Sequence, residues 1–159
     1  MCGLARTTVG NGHDEEPTFM LLGGDVAHHG GEIRPTSYLP LPQSLDPSPI
    51  PQIRAGACPG ELLAQQHRLY PEKGAWTQPY VLPSANAANN IHKALQTVEG
   101  VGEFDAMENV LTCLAHDASL VGNVGCFPEE TANEWRRKGW RRKTLWGWIG
   151  DYYGGVETG

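Results

Sequence analysis

The sequence predicts an α+β domain, and three observations carry that prediction. Two short apolar runs, Thr18 to Leu22 and Val110 to Ala115, have the length and composition of buried strands. Between them, Asn86 to Val98 places Ile91, Ala94, Leu95 and Val98 at i, i+3, i+4 and i+7, which makes one apolar stripe of a helix. With 20 Gly and 12 Pro in 159 residues, long irregular segments must join these elements. The length suits one domain, taken as residues 1–159, with a core of its own.

In chain order, Cys2 to Val9 can form a first strand. Asn11 to Pro17 is polar turn chemistry, so the strand at Thr18 closes a hairpin that ends in Gly23, Gly24 and Asp25. Gly12-His13-Asp14 reads as a solvated turn. Residues 30–60 read as a long loop holding six prolines between Pro35 and Pro51, either a cover over a site or a PxxP-type ligand. Glu61 to Leu69 offers one or two helical turns. Tyr70 to Pro83 is irregular, with Trp76 and Tyr80 expected to pack against other parts of the chain. Gly100 and Gly102 are expected to stop the Asn86 helix, and the strand Asn109 to Ala115 follows. After a turn at Gly122 to Gly125, Pro128 with Glu129 and Glu130 opens an expected terminal helix over about residues 128–150.

A net charge of -6 argues against general nucleic-acid binding, which needs a basic surface. The basic, tryptophan-rich stretch from Trp135 to Trp148 is read as a helix whose indoles pack inward while its cations stay wet. No apolar run approaches the roughly 20 residues that span a bilayer, so no membrane contact is expected. The N-terminus lacks the regions of a secretory signal, and Cys2, Cys58, Cys113 and Cys126 are scattered. The expectation is a cytoplasmic protein with reduced thiols.

Both apolar runs end in a residue that can ligate a metal: Asp25 after the first and His116 after the second, with His28 and His29 close behind Asp25. Strand ends hold such groups with little entropy left to lose, and a divalent metal such as zinc takes carboxylate and imidazole ligands. Spacing alone leaves the bland alternatives open: a turn or capping Asp, and a hydrogen-bonded His.

FMLLGGDVAHHGGEIRPTSYLPLP, then ENVLTCLAHDASL and FPEETANEWRRKGW, resemble the C-terminal half of metallo-β-lactamase-fold proteins of the fungal metallo-hydrolase type. The resemblance runs from about Cys2 to Trp148. It implies half of an αββα sandwich: one sheet with flanking helices and a Pro-rich loop shaping the substrate mouth. It also implies zinc, with Asp25 bridging two ions and His116 completing the second site, the two acting together in catalysis. His28 or His29 would serve as a substrate-facing group or a substitute ligand. The implied reaction is metal-dependent hydrolysis of a lactone, lactam or thioester, on a small-molecule ester, lactone or amide substrate.

The family's HxHxDH motif and its Gly-His turn have no counterpart in the chain. Two ligands fall short of the three protein ligands of a catalytic zinc. A truncated hydrolase without catalysis of its own is therefore the expectation, unless His28, His29 or another chain completes the site. The alternative is a non-catalytic remnant or binding module that pairs with another chain or self-associates through an exposed half-core.

Overall fold

The two apolar runs become the centre of a three-stranded sheet. The computed structural model describes residues 1–10, 16–50, 52–53, 56–70, 73–84 and 88–153. Strand β1 (Gly3–Arg6) pairs antiparallel with β2 (Phe19–Gly24), and β2 pairs parallel with β5 (Val110–Leu114), in the order β1-β2-β5. The expected hairpin therefore forms, with Thr7 and Thr18 joining their hydroxyls across it at 2.7 Å. The Gly12-His13-Asp14 turn lies outside the described residues.

Alternation along β2 and β5 sorts side chains to the two faces of the sheet. Leu21, Val110 and Leu114 join Val98 and Val101 of helix α3 (Ile91–Asp105) and Ile33 in one core. Leu111 faces the opposite way, onto Trp135 and Trp140, with Met20 and Cys113 beside it. A strand covered on both faces reads as a continuous apolar run, as Val110 to Leu114 does. β1 differs: all four of its residues are exposed.

α3 begins at Asn90, whose side-chain oxygen accepts from the Lys93 backbone N–H at 3.1 Å. It runs past the expected stop at Gly100 and Gly102 to Asp105. Tertiary packing overrides the helix-breaking tendency there: Gly102 is buried, and a Cβ on it would lie 3.2 Å from Thr36 Cγ2. The buried face is Val98, Val101, Gly102 and Asp105, while Leu95 of the expected stripe is exposed.

The expected loop over residues 30–60 contains more order than its prolines suggest. It opens with a single helical turn, α1 (Gly30–Ile33), and closes with a small antiparallel pair, β3 (Ser44–Leu45) and β4 (Cys58–Pro59). A short helix α2 (Gly60–Ala64) follows, as expected. Leu41, Leu45, Ile50, Cys58 and Leu63 build a second core with Trp148 and Ile149, and Trp76 and Tyr80 pack on it as expected.

The terminal segment departs most from expectation. Instead of one helix over 128–150, it forms a 3₁₀ turn at Ala132–Glu134, the short helix α4 (Trp140–Thr144) and a 3₁₀ helix at Gly147–Tyr152. Trp135 and Trp140 are buried against β5, and Trp148 in the second core. One straight helix with 3.6 residues per turn would spread these indoles over different faces, so the chain breaks to bury all three. Gly139, at φ +66°, supplies the left-handed residue at one break. Trp135, Trp140 and Trp148 are inside and Arg136, Arg137, Arg142 and Lys143 are exposed, as the sequence suggested, whereas Trp146 is half-buried and Arg141 is drawn partly inside. Among the described residues, no helix is long and apolar enough to cross a membrane. All four cysteines are free.

Candidate metal centre

β2 and β5 run parallel, so their C-terminal ends lie side by side, and each releases a ligand-bearing residue at that edge. The register shifts between Leu22 and Gly24, leaving Gly23 as an extra residue that re-aims the chain toward Asp25. The two glycines serve different ends. A Cβ on Gly23 would come within 2.8 Å of Leu114 Cδ2, and Gly24 holds φ +56°. Gly24 also accepts from the Ala115 N–H at 3.1 Å, which ties the end of β2 to the residue before His116.

The structure brings Asp25, His28 and His116 together. Nε2 of His116 lies 3.2 Å from Oδ1 of Asp25, and the His28 and His116 rings stack with centroids 5.2 Å apart and planes 24° from parallel. One donor atom from each residue lies within 4.8 Å of the others, and all three side chains are exposed. Asp25 and His28 also line a cavity of about 650 Å³, together with Asn89, Asn90, Lys93 and Thr97.

His29 sits elsewhere. Its Nδ1 accepts from the Gly31 N–H at 3.0 Å, capping α1, which places its proton on Nε2, 3.3 Å from Asp151 Oδ2. Its ring meets Trp148 and Tyr152 edge-on. Of the expected Pro-rich cover over residues 30–60, Glu32 alone among the described residues lines the cavity beside Asp25.

Two groups around the site escape a reading by spacing alone. Glu32 is 7% exposed and accepts from the His28 backbone N–H at 3.3 Å, so it anchors the turn that carries His28. Its position four residues after His28, at the end of a glycine pair, was the available signal. Asp117, beside His116, is buried; its Oδ1 accepts from the Ser119 N–H at 2.9 Å and from the Ser119 hydroxyl at 2.5 Å. It thereby fixes the turn that follows His116.

Farther below, Arg34 and Asp105 form a buried two-point pair, with Nε to Oδ2 and Nη2 to Oδ1 both at 2.7 Å. Burial by itself would raise the Asp105 pKa. The guanidinium charge and its hydrogen bonds outweigh burial and hold the carboxyl below its usual 3.8. Burial likewise opposes the Arg34 charge, and Asp105 more than offsets it.

Comparison with known proteins agrees with the resemblance read from the sequence. Gamma-lactamase FDB1 of Fusarium pseudograminearum (strain CS3096) is 39% identical over 152 residues, covering 96% of this chain and 35% of that protein. Metallo-hydrolase mfmC of Annulohypoxylon moriforme is 38% identical over 154 residues, covering 96% of this chain and 37% of its own. Gamma-lactamase MBL2 of Gibberella moniliformis (strain M3125 / FGSC 7600) is 49% identical over 67 residues, which is 42% of this chain and 26% of MBL2. The chain thus spans about a third of the length of the first two curated relatives. No family model matches it, and no solved structure does. Over about a third of their length, the chain is homologous to these proteins named gamma-lactamase FDB1 and metallo-hydrolase mfmC.

Proposed function

We propose that this chain carries a divalent-metal site built from Asp25, His28 and His116, and that it serves the hydrolysis of a cyclic amide or ester within a metallo-β-lactamase-type αββα architecture. The observation that carries this reading is the meeting of one carboxylate and two imidazoles within 4.8 Å at the ends of paired strands. Two relatives named gamma-lactamase point to a γ-lactam as the first substrate class to try.

The donor set suits zinc. Metal–ligand bonds of about 2.0–2.2 Å put neighbouring ligand atoms of a tetrahedral ion about 3.3–3.5 Å apart. The 3.2 Å between Asp25 and His116 is close to that, and side-chain rotation can close the remainder. Three protein ligands would leave a fourth position open, as catalytic zinc requires. For Nε2 of His116 to give its lone pair to a metal, its proton must sit on Nδ1. His28 would then supply the ligand that Asp25 and His116 alone lack.

A bound zinc would supply Lewis acidity toward a substrate carbonyl and make water a better nucleophile near neutral pH. The chain's own groups do the rest. The free oxygen of Asp25 can accept a proton from attacking water. Lys93, on the cavity wall, presents an ammonium to the carbonyl oxygen or to the carboxylate released. Opening a γ-lactam breaks the ring C–N bond, adds one water and leaves a carboxylate and an amine.

The test is hydrolysis of a γ-lactam panel by the zinc-supplemented chain, followed by chromatography of the ring-opened amino acid. Product from the parent chain that disappears in Asp25→Asn supports the reading. Absence of product, or equal turnover by Asp25→Asn, overturns it.

A further inference from the structure

Glu32 is a buried carboxylate that the three metal-side residues leave unused. It is 7% exposed and lies on the single turn α1, where its N–H donates to the His29 carbonyl at 3.0 Å. It lines the cavity that holds Asp25 and His28, and with Pro83 it also walls a neighbouring cavity of about 440 Å³. Among the described residues no cation pairs with it. Their one donor to it is the His28 backbone N–H, 3.3 Å from Oε1.

An ionised carboxylate has about four acceptor positions, and taking one out of water is costly unless donors meet it. Oε2 meets no donor among the described residues, yet it is not sealed in. The buried side-chain atoms without a partner there are Thr112 Oγ1, Asp117 Oδ2, Arg141 Nη1 and Trp148 Nε1. Oε2 therefore keeps an opening to the space that Glu32 lines, and an acceptor so placed is satisfied by a ligand that brings a donor. The ring of a γ-lactam holds its planar amide cis, so N–H and C=O lie along one edge. That edge can offer its carbonyl to Asp25, His28 and His116 and its N–H to Glu32, which stand on one cavity. A lactone has a ring oxygen in place of the N–H, which would set lone pair against lone pair.

We propose that Glu32 is the specificity-determining residue of this site: its Oε2 accepts the ring N–H of a secondary lactam and disfavours lactones and N-alkylated lactams. This rests on the lactam-hydrolysis reading above and narrows its substrate class.

The experiment uses the zinc-supplemented chain and three ligands of nearly one shape: 2-pyrrolidinone, N-methyl-2-pyrrolidinone and γ-butyrolactone. Binding is read by NMR at the His28 backbone N–H, and turnover by chromatography of the opened rings. The parent should bind 2-pyrrolidinone about tenfold or more tightly than either of the others, the scale of a hydrogen bond to a charged group. The lactone adds no bulk, so its weaker binding has no steric cause. Glu32→Gln conserves size; with its amide oxygen on the His28 N–H, it turns an NH₂ donor toward the ligand. The preference for 2-pyrrolidinone should then vanish, and γ-butyrolactone should bind more tightly than to the parent. A preference that survives in Glu32→Gln overturns the proposal, as does equal weakening of all three ligands, which marks a merely structural role. Equal binding of the three by the parent, or none, overturns it too. Turnover is judged apart: N–H-selective binding without hydrolysis upholds the role of Glu32 and overturns the hydrolase reading, and hydrolysis without N–H preference does the reverse.

Discussion

At the residue scale, adjacent His28 and His29 carry the same chemistry in opposite directions. His28 turns to Asp25 and His116, while His29 turns inward to cap α1 and meet Asp151. His29→Ala should therefore leave zinc affinity within about twofold of the parent, and cost about 1–2 kcal/mol of stability through the lost cap and ring contacts. Zinc titration and denaturant unfolding of the same variant separate the two effects. Arg34 and Asp105 are a different kind of residue-scale finding. They lie 71 positions apart, and no periodicity or motif pairs them, so only the folded chain reveals the contact. Removing one partner leaves an uncompensated buried charge, and Asp105→Ala should cost about 3–5 kcal/mol in urea unfolding. The pH dependence has a definite sign. Unfolded, Asp105 titrates near 3.8; folded, it titrates lower, so the unfolded chain binds more protons between those values. Its contribution is complete above about pH 4 and drains away as pH falls through the folded pKa. Unfolding midpoints measured downward from pH 5 should fall less steeply in Asp105→Asn than in the parent.

At the element scale, legibility followed the length of the local signal. β2 and β5 were readable because a strand buried on both faces announces itself as an apolar run. Asp25 and His116 stood out as candidates for the same reason, since each stands where such a run stops, and the structure places them side by side. α3 was readable in place but not in extent, because the packing of Gly102 against Thr36 is a tertiary fact. The terminal segment failed as a helix because its tryptophans belong to two separate cores, and nothing in their spacing says which. The Pro-rich stretch reaches the cavity beside Asp25 only at Glu32, because Leu41, Leu45 and Ile50 are drawn into the second core instead. α1 joins these regions: Ile33 enters the core under the sheet, and Gly30 lies against Trp148. A Cβ on Gly30 would meet Trp148 Cδ1 at 2.6 Å, and Trp148 is 1% exposed with no room to retreat. Gly30→Ala should cost about 1–3 kcal/mol by overpacking, measured as a lowered thermal midpoint. Gly100→Ala, with nothing within 4 Å of the added carbon, should leave stability equal or higher.

At the scale of the whole molecule, three layers define the part that positions the candidate metal centre: α3, the β1-β2-β5 sheet, and the tryptophan segment. The parallel pairing of β2 with β5 is the decisive topological fact. It brings two distant stretches to one edge, where a sequence reading finds one candidate ligand on each and the fold sets His28 beside them. The motif absent from the sequence made two ligands look insufficient; the geometry proposes a third within this chain. A ligand that binds only the folded state also raises its stability, by about 2.7 kcal/mol at a hundredfold excess over Kd. The measurement that tests this most directly is calorimetric zinc titration of the metal-free 159-residue chain beside Asp25→Ala, His28→Ala and His116→Ala, with thermal unfolding of each sample. The expected result is one zinc per chain with a raised unfolding midpoint, and affinity weakened more than about tenfold in each variant. No saturable zinc binding by the parent chain, or affinity unchanged in all three variants, would contradict the account.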